Sequence, residues 1–421
     1  MDGVTITLLF LIFAIVMFVW ERIPLSVTAM IVAVGLVVTS VLSPKDAFAG
    51  FVDTNVLLFM AMFIVGAAFF ETGVARDVGG IVTKFAGTER KLIISVMLIT
   101  GLMSGFLSNT GTAAVLIPVA IGLAQRAGFN RAKFLLPLVL ASAMGGNLSL
   151  IGAPGNMIAQ SGLSKIGLSF GFFDYALIGL PVLIVGIIYF VLIGYKLLPD
   201  EPARQPEEIY EETDYSKVPK YKKWIAGIVL IATIVGMIFE QQIGIKLYVT
   251  AWIGALVLIV TGTISETAAV KSIDMKTILL FVGSLALADA LVKTGTGTVV
   301  ADAIITALGS HPSPFVLMAV VFIIAAVLTN FMSNTATTAL LVPIGISLAQ
   351  QVGADPKAVL MATVIGGSCA YATPIGMPAN TMVYNIAGYT FMDYVKVGAP
   401  LVVISTIVSL ILLPIFFPFY P

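Results

Sequence analysis

The chain has 421 residues, 59% of them hydrophobic and only 10% Asp, Glu, Lys or Arg, where a soluble globular domain carries about 25% charged residues. With 22 basic and 22 acidic residues it has too little charge to wet a soluble globule and no basic excess to hold nucleic acid. Both classes are excluded, and a polytopic membrane protein remains. The 39 Gly and 20 Pro are many for a bundle of plain helices and predict that some helices are interrupted.

Taken in chain order, the first apolar run follows MDGVTITLLF. That start lacks the basic region of a cleavable signal, so the run is predicted to be a retained helix. A bilayer core of about 30 Å needs roughly 20 apolar residues per helix. Runs of that kind lie at 3–20, 25–42, 55–72, 135–163, 170–195, 224–240, 247–264, 277–292, 359–388 and 397–418. Two other stretches, 92–125 and 314–350, are 34 and 37 residues long and uncharged, with a polar Ser-Asn-Thr in the middle. A straight helix of that length reaches about 50 Å, well beyond the core. Two arms turning at the Ser-Asn-Thr fit better, as a re-entrant hairpin whose irregular backbone is buried in protein or lines a cavity.

Basic residues choose the orientation. With the N-terminus outside, seventeen of the 22 basic residues fall in inner loops and five in outer loops. Both termini are then outside a cell (inner) membrane, and the charged segment 199–223 is a cytoplasmic linker. His311, in a Ser-His-Pro-Ser turn, reads as a loop residue rather than a proton relay, and the single Cys369 cannot form an intramolecular disulfide.

The chain repeats itself. Residues 108–125, SNTGTAAVLIPVAIGLAQ, match 333–350, SNTATTALLVPIGISLAQ, at eleven of eighteen positions without a gap. Ser104 and Thr329 stand four residues before each Ser-Asn-Thr, IGAPGN at 151–156 answers IGMPAN at 375–380, and Phe59 answers Phe281. Two repeats, 1–198 and 224–421, flank the linker. Each holds five spans and one hairpin, and five is odd, so the second copy enters the membrane from the opposite side. The predicted fold class is an all-α polytopic membrane protein with an inverted-topology repeat of five spans plus one re-entrant hairpin each, and broken helices at the midplane. That is the architecture of secondary transporters.

Ser, Asn and Thr are preferred N-caps, so each Ser-Asn-Thr opens the second arm of its hairpin and aims a helix N-terminus at the middle of the protein. Two such termini from opposite faces make a site for an anion. Gly and Pro interrupt the apolar spans 135–163 and 359–388, freeing carbonyls at mid-membrane. Beside Ser, Thr and Asn oxygens these are hard ligands suited to sodium. Ser104, Asn109 and the Gly152 carbonyl form one candidate cation site; Thr329, Asn334 and the Gly376 carbonyl form its mirror. No Lys, Arg, Asp or Glu occurs in 92–125, 135–163 or 359–388. A negative substrate must then be balanced by helix dipoles and bound cations. Asp289, inside a span, is either a proton carrier or a structural partner of Lys293.

Two Ser-Asn-Thr hairpins in an inverted repeat, each followed by a Gly-x-Pro-x-Asn break, resemble the divalent anion:sodium symporter family of the ion transporter superfamily, over nearly the whole chain. The resemblance implies a homodimer in the bilayer, with a scaffold domain and a transport domain that moves like an elevator. It implies that Ser108, Asn109, Thr110, Ser333, Asn334 and Thr335 contact a small anionic substrate, with Ala153, Asn156, Met377, Pro378 and Asn380 from the two breaks beside it. It also matches the co-transported Na+ to the two sets above, extended by Ser108 and Met332. The chain departs from the family where a hydroxyl residue usually precedes the Pro, since it has Ala153 and Met377, and it has Pro154-Gly155 and Pro378-Ala379 where Pro-Pro is common.

The expected function is sodium-coupled symport of a divalent organic anion, a dicarboxylate such as succinate or malate. A sulfate or other anion carrier driven by protons or exchange, and an anion channel, remain open. A membrane enzyme is disfavoured because the apolar segments offer no acid–base dyad, no Cys/His pair and no metal cluster.

Overall fold

The structure, a computed structural model, describes residues 2–80, 88–200, 215–309 and 312–419. His311 and most of the linker 199–223 lie outside the described residues. Among these the fold is helical, with no strand. The first repeat runs α1 (Gly3–Trp20), α2 (Leu25–Val38), α3 (Thr54–Glu71), the hairpin arms α4 (Glu89–Ser104) and α5 (Asn109–Ala127), the half-helices α6 (Ala132–Gly145) and α7 (Pro154–Lys165), and α8 (Ala176–Tyr189). The second repeats that order: α9 (Lys220–Ile238), α10 (Leu247–Val260), α11 (Met275–Thr294), the arms α12 (Pro314–Leu328) and α13 (Asn334–Val352), the half-helices α14 (Pro356–Gly367) and α15 (Pro378–Ile386), and α16 (Phe391–Phe416).

The sequence dictates where these helices stop. Pro154 and Pro378 stand at the first position of α7 and α15, where the missing N–H costs nothing. Extended residues Ala153 and Met377 precede them. Each long stretch therefore becomes two half-helices joined by an irregular segment at 146–153 and 368–377. Long apolar α1, α3, α9, α11 and α16, with α8 continuing to Leu197, can cross a membrane by length and composition, as can α13.

Two expected spans are shorter than predicted. Helices α2 and α10 have 14 residues each, about 21 Å at 1.5 Å per residue, rather than extending to 42 and 264. The cause is the same in both repeats. Ser40 and Gly262 adopt left-handed backbone, with φ of 59° and 65°, and the following amides fold back onto Leu36 O and Leu258 O, which ends the helix.

The packing exchanges the repeats. Helix α2 packs on α11 and α10 on α3, while hairpin arm α13 packs on α7 and arm α5 on α15. Each hairpin thus buries its second arm against the broken helix of the other repeat. This pseudo-two-fold exchange is what an inverted repeat requires if both motifs are to reach one place.

Candidate functional site

Ser108 and Ser333 cap α5 and α13. Each has extended backbone, and its hydroxyl accepts from the amide three residues on, Gly111 N at 3.1 Å and Ala336 N at 3.2 Å. The Asn and Thr of each motif then form the first helical residues. Both motifs are half-buried, and they open into a single cavity of about 350 Å³. Its lining includes Ser108, Asn109, Thr110, Ser333, Asn334 and Thr335, with Ala153, Pro154, Gly155, Gly376, Met377 and Pro378 from the two breaks. Two larger surface grooves, of about 570 and 990 Å³, lie away from both motifs.

Behind each Asn lies an oxygen-rich nest. Ser104 Oγ is 2.7 Å from both Asn109 Oδ1 and the Ser142 carbonyl, and its single proton serves only one of them. The same end of the Asn109 amide sits 3.2 Å from the carbonyls of Ser142 and Gly152. With oxygen at that end, four oxygens face one another. Hard cations hold oxygens at about 2.3–2.6 Å, which spaces neighbouring ligands roughly 3.2–3.7 Å apart at right angles. With the amide turned over, its nitrogen has all three neighbours within hydrogen-bonding distance and two protons to share among them. In the first orientation the 3.2 Å separations match that spacing, and the 2.7 Å contacts of Ser104 must widen to admit an ion; the second orientation closes the nest on itself.

The second nest repeats the pattern: Thr329 Oγ1 lies 2.7 Å from Asn334 Oδ1 and 2.5 Å from the Gly367 carbonyl. A Cβ on Gly152 would approach Gly146 O to 2.5 Å, and one on Gly376 would approach Thr329 O to 2.5 Å. Glycine is therefore required at both breaks for the chains to come this close. Met332 is fully buried, with its side chain in the core formed by α1, α2 and α11, so only its backbone carbonyl can serve as a ligand.

The breaks are held by matching bonds. Ser149 Oγ donates to Gly105 O at 2.5 Å, and Thr373 Oγ1 donates to Asn330 O, each tying a break to a hairpin turn. Asn156 and Asn380, expected beside the substrate, do not line the cavity. They are fully buried, and their amides donate to Gly146 O and Ser149 O, and to Ala370 O and Thr373 O, at 2.7–3.0 Å. A Gly- and Pro-rich break leaves carbonyls without helical donors, and these amides supply them. Tyr175 and Tyr394 in turn donate to the carbonyls of Asn156 and Asn380 at 2.8 and 2.6 Å.

Several lining residues escaped the sequence reading. Phe59 and Phe63 form an apolar wall, but Phe281, aligned with Phe59, is buried away and Leu280 lines the cavity instead. Thr338 and Ser368 add hydroxyls; Ser368 Oγ donates to Asn147 Oδ1 at 3.0 Å and so joins the two breaks. Thr338 was signalled by its place one turn after Asn334. At the end of the cavity where α2 and α11 begin, exposed Pro24, Asp274 and Lys276 form the rim. Asp274 is occupied as the cap of α11, accepting from Lys276 N and Thr277 N. The expectation of an uncharged site therefore holds for the hairpins and breaks but not for the rim.

Asp289 pairs with Lys165 of the other repeat, at 2.5 Å. Lys293, the partner expected from sequence, instead lies 3.9 Å from Asp46.

Among known proteins, the family described as Citrate transporter matches residues 15–366. An uncharacterized transporter of Haemophilus influenzae is 29% identical over 415 residues, covering 94% of this chain and 88% of its own. The sodium-dependent dicarboxylate transporter SdcS of Staphylococcus saprophyticus is 24% identical, with 90% and 79% covered. The YdaH transporter of Alcanivorax borkumensis shares the fold, with a TM-score of 0.66 over 88% of this chain and 86% of that one at 17% identity.

Proposed function

This chain belongs to the citrate transporter family, and we propose that it is a sodium-coupled symporter of a divalent organic anion working by alternating access. That it is a multi-pass membrane transporter follows from the family and the apolar helices; the substrate, the coupling ion and the residue roles are the proposal. The observation that carries it is the meeting of two helix N-termini, one from each inverted repeat, in one cavity with an oxygen nest behind each Asn.

In this reading Ser108, Asn109 and Thr110 hold one carboxylate and Ser333, Asn334 and Thr335 the other, through hydroxyl, amide and exposed backbone donors. Sodium sits among Ser104, Asn109, Ser142 O and Gly152 O, and a second ion among Thr329, Asn334, Gly367 O and Gly376 O. Each ion supplies the positive charge that the hairpin turns lack. Because each Asn faces both the nest and the cavity, filling the nest fixes the amide that meets the anion. The apolar wall of Phe59, Phe63, Ala153 and Met377 suits the carbon chain of an organic diacid better than sulfate, which has no apolar part to bury. The relative named a sodium-dependent dicarboxylate transporter points the same way. The charge bias of the loops puts the rim of the cavity, at Pro24 and Lys276, on the cytoplasmic side. A homodimer with a moving transport domain completes the reading.

Proteoliposomes should accumulate labelled succinate or malate when sodium is higher outside, and unlabelled citrate or sulfate should be offered as competitors. Uptake indifferent to sodium would remove the coupling, and stronger competition by sulfate than by any carboxylate would remove the organic anion.

A further inference from the structure

We propose that Lys165 and Ser161 latch α7 to α11 and α3 at the end of the protein remote from the cavity rim, and that release of this latch opens the site to the other side of the membrane. The inference rests on the alternating-access reading above.

Helix α7 begins at the cavity with Pro154 and ends at Lys165, about 16 Å further on at 1.5 Å per residue. Ser161 and Lys165 are one turn apart and share a face, and both bond outside their own helix. Lys165 Nζ pairs with Asp289 Oδ1 of α11 at 2.5 Å and reaches Leu285 O at 3.4 Å. Ser161 Oγ donates to Asp53 Oδ1 and accepts from Asn55 Nδ2, each at 2.9 Å. Asp53 is itself fixed as the cap of α3, accepting from Asn55 N and Val56 N. One short helix with its first turn in the site is thus fastened by polar bonds to two helices at its far end.

Beneath the ion pair the contact is tight. A Cβ on Gly162 would meet Val342 at 2.7 Å, and the remaining space among Ile158, Leu285, Ala339 and Ile346 is about 50 Å³. The matching helix of the second repeat, α15, carries no charged residue and so cannot form the same ion pair. The residue answering Lys165 is Tyr389, whose hydroxyl bonds to Ala132 O and Leu136 N of α6. The residue answering Asp289 is the apolar Ala67. The repeats are alike in packing and unlike in charge, so the pair favours one of the two conformations that an inverted repeat can adopt. It is this asymmetry, rather than a proton relay, that gives Asp289 its role.

The test uses a reporter in the sealed contact. Ser284→Cys lies on α11 at 6% exposure, beside the pair, and bonds only to its own helix; Cys369→Ser removes the native thiol. In intact cells, a membrane-impermeant maleimide is expected to label this reporter about 1.5- to fivefold faster once Asp289→Ala is added, the range set by a partly exposed ion pair. Ser161→Ala should add to that rate. The exchange of Lys165→Asp with Asp289→Lys should return it close to the reporter alone. A rate unchanged by Asp289→Ala overturns the latch, as does an exchange variant that labels as fast as Asp289→Ala. No substrate or sodium is needed, so failed uptake leaves this result readable. Unchanged labelling in a chain that still takes up succinate overturns the latch alone.

Discussion

Asn109→Ala is expected to weaken sodium and substrate binding together, each by roughly 10- to 150-fold, and Asn334→Ala to do the same. The range corresponds to about 1.5–3 kcal/mol for a hydrogen bond to a charged group. Each Asn is the first helical residue after a capping Ser and has two faces. Its amide meets Ser104 or Thr329 at 2.7 Å on the side of the nest, and it also lines the cavity. Alanine keeps the helix and its cap, because Ser108 and Ser333 do the capping. The loss should therefore appear in ligand affinity rather than in folding. Titrations of sodium and of succinate by thermal shift on the purified variants separate the two affinities. Full sodium-dependent affinity in either variant would refute the shared-ligand arrangement.

Gly152→Ala and Gly376→Ala should each reduce transport to background. The added Cβ meets a backbone oxygen at 2.5 Å in both cases, and a backbone oxygen cannot swing aside as a side chain can. Overpacking of this kind costs about 1–3 kcal/mol. Here it falls on the segment that supplies the ion's carbonyl ligands, so geometry at the nest is lost first. Gly122→Ala is the control: on hairpin arm α5 its Cβ has nothing within 4 Å, and uptake should stay near that of the unaltered chain. Initial rates of sodium-driven uptake in proteoliposomes, normalised to reconstituted protein, compare the three. Near-normal rates in both Gly152→Ala and Gly376→Ala would show that the close approach is not needed.

Much of this was legible because the decisive signals are local. A Ser-Asn-Thr inside an uncharged stretch marks a helix cap at depth, and Pro154 and Pro378 fix where the half-helices begin. The repeated order then gives the inverted topology by counting. What was not legible depends on distance or on backbone detail. Nothing in the sequence joins Lys165 to Asp289, which are 124 residues apart. Lys293, only one turn away on α11, was the natural guess. Asn156 and Asn380 were placed beside the substrate by the family resemblance, yet a broken helix needs internal donors for its freed carbonyls, and that is where their amides go. Ser40 ends α2 in a left-handed turn that glycine usually signals, so the shortened helix was hidden in one repeat and readable only through Gly262 in the other. The rim residues Pro24 and Lys276 reach the cavity from helices that carry no motif at all.

The central claim is that a site whose hairpin turns and helix breaks carry no basic side chain holds its anion only with the help of sodium. Equilibrium binding of labelled succinate to the purified protein, measured in sodium and again with choline in its place at constant ionic strength, addresses it directly. Affinity should rise at least tenfold in sodium, an increment of about 1.4 kcal/mol, and saturate as sodium increases. Equal affinity in choline and sodium would contradict the claim and place the positive charge elsewhere, with Lys276 at the rim the first residue to examine.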